Sequence, residues 1–450
     1  MSPAPTPRSG IKHLVSLRDE LNALVDRIVE TEEEPLPALD DIESPHGPLS
    51  YAAMQAISVT RELLSLLQGT HGALDKVFGF HISSALRVSI EAHVVETLKE
   101  AAAEGKKALH VDDIAKSSCI NPNKLARVLR TLAANYVFIE AQPDTFALNR
   151  PALLLDTGKS VKELKSTKDF YSDTNGSAAM IAHTADDIMK GSAFLADVAL
   201  DPSTANSASP AEAGSARALH LDAPLWEHWG KEENAHLSAR FDKAMWGTQM
   251  MTLGTSALQG FPFKDLPEDA TLVDVGSGIG TVSLEIFKAV PQIKVVLQDR
   301  PEVMASAKQI WQKSVPDRAD RFETIPHDFF AEQPVKGAAV YLMRFIIHDW
   351  ADEQSIQILQ HLANAALSSS RLILIEQTYT YVPPSGRTLS ATPYAIDMQM
   401  LSALHSQERT EEQYAALGEK AGWRLEKVWK TGEGGKVDGP FRHYEFALKQ

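Results

Sequence analysis

The stretch that decides the fold runs from Thr271 to Asp299: TLVDVGSGIGTVSLEIFKAVPQIKVVLQD. Leu272, Val273 and Val275 form a short apolar run of the kind a buried parallel strand requires. Gly276, Gly278 and Gly280 follow at once. Glycine takes positive φ without steric cost and lets a ligand approach the backbone closely. Apolar residues at helical spacing begin after Thr281, and Pro291 stops them. Val295, Val296 and Leu297 make a second strand with Asp299 at its carboxyl end. The order is strand, glycine turn, helix, strand. In a doubly wound α/β sheet an acid in the place of Asp299 accepts hydrogen bonds from the two hydroxyls of a ribose.

The glycine spacing narrows the ligand. A G-x-G-x-x-G turn seats a diphosphate on the helix N-terminus. Here the pattern is G-x-G-x-G, and Asp274 precedes it. An acid beside the turn is a poor host for a diphosphate. It suits a ligand with cationic groups, such as the ammonium and sulfonium of S-adenosyl-L-methionine. A glycine turn without a ligand is the plain alternative, and the flanking strand, helix and terminal acid favour a nucleoside site.

Downstream, strands and helices alternate. Glu302 to Ser314 reads as a helix and Phe322 to Ile325 as a strand, followed by His327-Asp328-Phe329-Phe330. Ala338 to Met343 is the next strand and ends at Arg344-Phe345-Ile346-Ile347-His348-Asp349-Trp350. A helix over 351–366 takes Asp349 as its candidate N-cap. Arg371 to Ile375 ends at Glu376, Thr410 to Ala421 is a helix, and 423–431 and 442–448 are closing strands. The expectation is a doubly wound sheet, whose ligands bind at the carboxyl ends of the strands. Gly276, Asp299, Asp328, His348 and Glu376 all fall at such ends.

Upstream, residues 1–10 read as disordered, Ile11 to Val29 as an amphipathic helix, and the Glu32–Glu34 run with the Pro- and Asp-rich stretch to Pro48 as a solvated linker. Tyr51 to Leu67 and Phe80 to Glu100 are helical. The short helix at 110–116, the helix at 121–134 and a hairpin about Pro143-Asp144 spell a winged helix. Such a motif serves either DNA binding, here through 123–130, or a structural role. Lys168 to Leu200 is mostly helical, and 201–217 is a low-complexity segment expected to be a mobile loop. Leu225 to Met251 carries Trp226, Trp229, Phe241, Met245, Trp246, Met250 and Met251, which suit a core or an apolar substrate pocket equally.

Composition sets outer bounds. A chain of 450 residues exceeds one core, so two domains with extensions are expected. A formal net charge of −15 argues against nucleic-acid and anionic-membrane partners, which select basic surfaces. The single cysteine, Cys119, leaves no internal disulfide or cysteine zinc site. Neither a membrane-spanning run nor a signal-peptide core is evident, and the expected location is cytoplasmic.

His348 is the residue on which the chemistry is expected to turn. Its unperturbed pKa lies near physiological pH, so it takes up a proton without being permanently charged. A lone histidine is more often a satisfied polar group, but this one shares a sheet edge with the glycine turn. Glu376 ends the adjacent strand and Glu408 lies before the following helix. A carboxylate bonded to one ring nitrogen fixes the tautomer and stabilises the imidazolium. Beside a methyl donor, this set suits deprotonation of a hydroxyl. No metal-ligand spacing is evident, and a base suffices without a metal when the hydroxyl is as acidic as a phenol.

At this point the chain resembles a known family. LVDVGSGIG, Asp299-Arg300-Pro301-Glu302-Val303, HDFF, RFIIHDW, LILIEQ and ERTEEQY, together and in order, are similar to motifs of the plant-type and fungal O-methyltransferases of small phenolic molecules, the caffeate and sterigmatocystin enzymes among them. The resemblance spans residues 75–450. It implies S-adenosyl-L-methionine as cofactor, held by Gly276, Ser277, Gly278, Asp299, Asp328, Phe329 and Arg344. It implies His348 as catalytic base with Glu376 and Glu408 beside it, and a small hydroxylated substrate. It also implies a homodimer whose winged helix contributes to the partner's pocket. The domains expected are a tail, amphipathic helix and linker over 1–48 and a mostly helical winged-helix dimerisation domain over 49–165. A helical connector and pocket region over 166–255 and a Rossmann-like catalytic domain over 256–450 follow. The sequence departs from the family pattern at His327, at Arg344 and over Leu404–Gln407, and these departures bear on the acceptor. Some fungal proteins that resemble this family instead keep the cofactor as a bound cation and catalyse a pericyclic cyclisation.

Overall fold

The computed structural model describes residues 10–31, 38–43, 51–167, 169–251, 257–383, 386–430 and 441–449. The tail before Gly10, the Glu32–Glu34 run, most of the linker to Pro48 and the side chains of Met250 and Met251 lie outside these residues. The chain divides into two compact units. One comprises 1–189, 239–253 and 381–391, and the other 190–238, 254–380 and 392–450.

The second unit is built on a seven-stranded sheet. Its strands are β1 (Thr271–Val275), β2 (Lys294–Asp299), β3 (Phe322–Pro326), β4 (Val340–Arg344), β5 (Arg371–Gln377), β6 (Trp423–Lys430) and β7 (Phe441–Leu448). The spatial order is β3-β2-β1-β4-β5-β7-β6. The first five run parallel, and β7 is antiparallel to both β5 and β6. Parallel strands are covered on both faces, which explains their apolar runs. Leu272, Val340 and Leu342 enter one core, and Val273, Val275, Tyr341 and Met343 enter the other. The period of two along each strand sorts them. Because β1 pairs in register with β2 and β4, and β4 with β5, the residues that follow Val275, Asp299, Arg344 and Ile375 emerge at one edge.

Two expectations in this unit need correction, and one element is new. The 201–217 segment is not wholly a loop. Gly214–Leu219 is helical, and Ala213, Gly214, Ser215 and Ala216 are buried. Its small residues serve close packing: a Cβ on Gly214 would collide with the backbone oxygen of Gly191, and Ser215 Oγ donates to the Ala403 carbonyl at 2.6 Å. The helix Asp352–Ala365 starts from Ala351, without a side-chain cap, so Asp349 is not its N-cap. A helix over Thr392–Leu404 was not anticipated.

In the first unit, Gly10–Thr31 pairs with Tyr51–Gln68 and buries Leu17, Leu24 and Ile28 against Ala52, Ala53, Ala56 and Val59. The stretch expected as one helix from Phe80 is two, Phe80–Glu91 and Val94–Ala103. His93 breaks it at φ 56°, in the left-handed region. The winged helix is present. Asn121 caps the helix Pro122–Ala133 by accepting from Asn123 N at 2.9 Å. Strands Ile139–Gln142 and Thr145–Ala147 form the wing, with Leu109–His110 as a third strand. Arg130, on the helix a DNA-binding use would engage, is paired with the wing carboxylates of Glu140 at 2.6 Å and Asp144 at 2.9 Å.

The aromatic segment is divided between the units. Leu225 and Trp229 are buried in the second unit, while Ala244 and Met245 belong to the core of the first.

Candidate functional site

The glycine turn is tied to β2. Gly276 N and Ser277 N both donate to the Gln298 carbonyl, at 2.8 and 3.0 Å. Gly276, Gly278 and Gly280 take φ of 71°, 55° and 77°. Their side-chain space differs. A Cβ on Gly276 would lie 2.5 Å from Ile346 Cδ1, and one on Gly280 would lie 2.6 Å from Trp311 Nε1. Those two glycines answer to the protein's own packing. A Cβ on Gly278 meets nothing within 4 Å. Of the three glycines, only Gly278 faces open space.

Asp299 faces that turn. Its Oδ2 accepts from Gly278 N at 2.8 Å and its Oδ1 from Arg300 N at 2.8 Å. Each oxygen keeps a lone pair for a further donor, as a ribose diol requires. Burial holds this carboxyl above its ordinary range. Asp274, the acid beside the turn, points inward. It is buried beneath the turn and accepts from Ser283 Oγ at 2.5 Å, and burial pushes it up to about 7. The charge of Arg344 draws it partly back down. Arg344 ends β4 with its guanidinium over the Phe345 ring at 4.6 Å, and burial pulls its pKa down to about 10 against the attraction of Asp274, Glu285 and Glu376. Asp328 Oδ1 accepts from Phe330 N at 3.0 Å on an exposed turn. Phe329 lies beside Gly276 and joins an aromatic cluster with Phe330 and Trp350. Trp226 extends it, 5.0 Å from Trp350. Open space at Gly278, a ribose-ready Asp299 and flanking aromatic faces fit an adenosyl group.

His348 sits at the same edge, on the turn after β4. The turn begins with Phe345 at φ 54°, and the Phe345 ring stacks on the imidazole at 5.3 Å. His348 Nδ1 donates to Glu408 Oε1 at 2.8 Å, and Nε2 lies 3.4 Å from Asp349 Oδ1. Glu376 makes no hydrogen bond to the ring. Its Oε1 accepts from Ile346 N at 3.2 Å and Ile347 N at 2.9 Å, so it fixes the backbone that carries the imidazole. Glu376 Oε2 and Glu408 Oε2 are buried and accept no hydrogen bond. Burial works to lower the pKa of His348, but Asp349, Glu408 and Glu376 outweigh it and raise the ring to about 10. Burial pushes Glu376 up to about 7.

One organising residue was missed in the sequence. Arg409 is fully buried and donates to the Ile347 carbonyl at 2.8 Å, to the Trp350 carbonyl at 2.7 Å and to Asp352 at 2.9 Å. It thereby ties the Glu408 segment to the His348 turn. Asp397 adds to this by accepting from Glu408 N at 2.9 Å. The signal was present in the motif ERTEEQY, which invites attention to its glutamate while the neighbouring arginine holds the backbone.

A seven-stranded sheet of this order, with an adenosyl-fitting turn and a histidine at the same edge, has the layout that an S-adenosylmethionine-dependent methyltransferase needs. Residues 220–424 match the O-methyltransferase domain profile, and residues 74–157 match the O-methyltransferase dimerisation domain. An O-methyltransferase of Armillaria gallica is 33% identical over 373 residues, covering 77% of this chain and 78% of that protein. A 4-O-methyltransferase of Phanerochaete chrysosporium is 31% identical over 437 residues, covering 89% and 92%. The chain belongs to the O-methyltransferase family, and its cofactor is S-adenosyl-L-methionine. A solved structure described as a pericyclic reaction enzyme has the same fold, with a TM-score of 0.73 at 18% identity over 98% of this chain and 100% of that one.

Gly278 is the position at which a cofactor contact and internal packing can be told apart. Gly278→Ala should cost the fold only about 1–2 kcal/mol, the penalty of a side chain in left-handed backbone, because nothing crowds its Cβ. The same Cβ should block the cofactor. Calorimetry with S-adenosylhomocysteine should find affinity lost in a variant that still melts cooperatively, and wild-type affinity in that variant would contradict the placement.

Proposed function

We propose that this chain transfers a methyl group to a phenolic or enolic hydroxyl of a small aromatic or polyketide-type secondary metabolite, with His348 as general base. The observation that carries the reading is the bond from His348 Nδ1 to a fully buried Glu408. A proton held at Nδ1 leaves Nε2 as the basic nitrogen. S-Adenosyl-L-methionine supplies an electrophilic methyl when bound. The protein's part is to orient the acceptor oxygen and remove its proton. A ring raised to about 10 matches a phenol, whose unperturbed pKa is about 10, and proton transfer between matched groups meets little thermodynamic resistance. An aliphatic alcohol is far less acidic and would not be matched.

Glu376 and Glu408 act on the base rather than on the acceptor, one through the backbone and one through Nδ1. Arg344, Asp328 and Phe329 complete the proposed cofactor contacts around Gly276, Ser277, Gly278 and Asp299. Cyclisation with the cofactor as a bound cation has only the likeness of fold behind it. The intact His348–Glu408 pair favours methyl transfer.

We also propose a homodimer. Leu74, Val77, Phe78 and Phe80 lie within the matched dimerisation segment and are each more than half exposed. Apolar surface of this kind is covered in an isologous dimer. Light scattering at micromolar concentration should give twice the chain mass of 49.3 kDa, and a monomer would remove the assembly proposal.

His348→Ala should lose about 10²–10⁴ in methyl transfer to a polyketide phenol while retaining cofactor affinity. In the wild type, the neutral fraction of a ring with its pKa near 10 grows with pH, so kcat/KM should rise through the neutral range. The residual rate of the variant should instead follow ionisation of the phenol itself. Wild-type turnover by the variant at neutral pH would show that His348 is not the base.

A further inference from the structure

Methyl transfer to a hydroxyl releases a proton. The acceptor loses the hydrogen of its O–H bond and gains a methyl on oxygen, and the sulfonium charge of the donor is discharged. One proton per turnover must therefore leave the base, or the next acceptor finds only an imidazolium. We infer that Asp349 is the exit for that proton, taking it from His348 Nε2 and passing it to water. The inference rests on His348 being the base.

The geometry singles out Asp349 among the carboxylates around the ring. Glu408 is on Nδ1, the wrong nitrogen, and its side chain is 0% exposed. Glu376 is fully buried and its Oε1 is engaged by two backbone N–H groups. Asp349 Oδ1 lies 3.4 Å from Nε2, and its side chain is 32% exposed against 12% for His348. It alone of the three joins the basic nitrogen to solvent. It is also released from helix capping, since the following helix starts at Ala351 without a side-chain cap. Asp349 is only partly exposed, and the desolvation of its carboxyl beside the ring raises it to about 6, so it accepts a proton more readily than an ordinary aspartate.

The test needs no acceptor at its first stage. In protein labelled with ¹⁵N-histidine, the His348 signals are assigned by their loss in His348→Gln. The solvent exchange of the Nε2 proton is then compared in wild type, Asp349→Asn and Asp349→Glu. Removing Asp349 also lowers the His348 pKa, so exchange is compared at the same fraction of protonated ring. There asparagine should slow it about tenfold or more, as expected when a proton-transfer partner is removed, and glutamate should restore it. The Nδ1 proton held by Glu408 should not respond. Equal Nε2 exchange in wild type and Asp349→Asn would overturn the inference, whatever the chain methylates. With a phenol that the wild type methylates, kcat of Asp349→Asn should fall and recover with added imidazole, a small proton carrier, while the wild type stays indifferent to it. A slow variant that imidazole does not rescue would make Asp349 merely structural. A raised KM at unchanged kcat would make it an acceptor contact. Either result overturns the exit, whereas failure of His348→Ala to lose activity would overturn the base itself.

Discussion

Glu376 stands fully buried at the end of β5, and its Oε1 receives the backbone N–H groups of Ile346 and Ile347. Those groups belong to a turn that opens with Phe345 in left-handed backbone, a conformation costing about 1–3 kcal/mol in a non-glycine residue. Two backbone hydrogen bonds to one buried carboxyl oxygen, each worth about 0.5–1.5 kcal/mol, offset such strain. The carboxylate thus holds a bent backbone that aims His348, and adds negative charge near the ring. Arg409 holds the same turn from the other side through the Ile347 and Trp350 carbonyls. Remove either, and the imidazole loses its bearing on Glu408.

This arrangement explains why the proposed cofactor turn and the proposed base share one sheet edge. The parallel register of β1, β2, β4 and β5 brings Gly276, Asp299, the His348 turn and Glu376 to the same side. Ile346 links the two halves: a side chain on Gly276 would strike its Cδ1. The turn that carries His348 therefore also shapes the glycine turn.

Much of this was legible in the sequence. The Thr271–Asp299 stretch carries strand, turn and helix signals that agree with one another, and such agreement across levels specifies a fold strongly. His348 and Glu408 were placed correctly as neighbours. What escaped was set by long-range contacts. Glu376 was expected to act on the ring, but backbone amides thirty residues away in sequence claim its oxygen. Asp274 was read only as an acid beside the turn, and period-two alternation buries it beside Ser283, where the charge of Arg344 acts on it. The 201–217 segment reads as disordered by composition because its alanine, serine and glycine lack hydrophobic contrast, while those same small residues let helices approach. The break at His93 carries no glycine or proline to announce it.

The central claim is that this sheet edge serves methyl transfer to oxygen. It is tested most directly by following both reactants in one vessel with purified protein, a polyketide phenol and S-adenosyl-L-methionine. The account predicts one S-adenosylhomocysteine formed for every product molecule, each product heavier than the phenol by one CH2. A product isomeric with its precursor, with the methyl donor unconsumed, would contradict it.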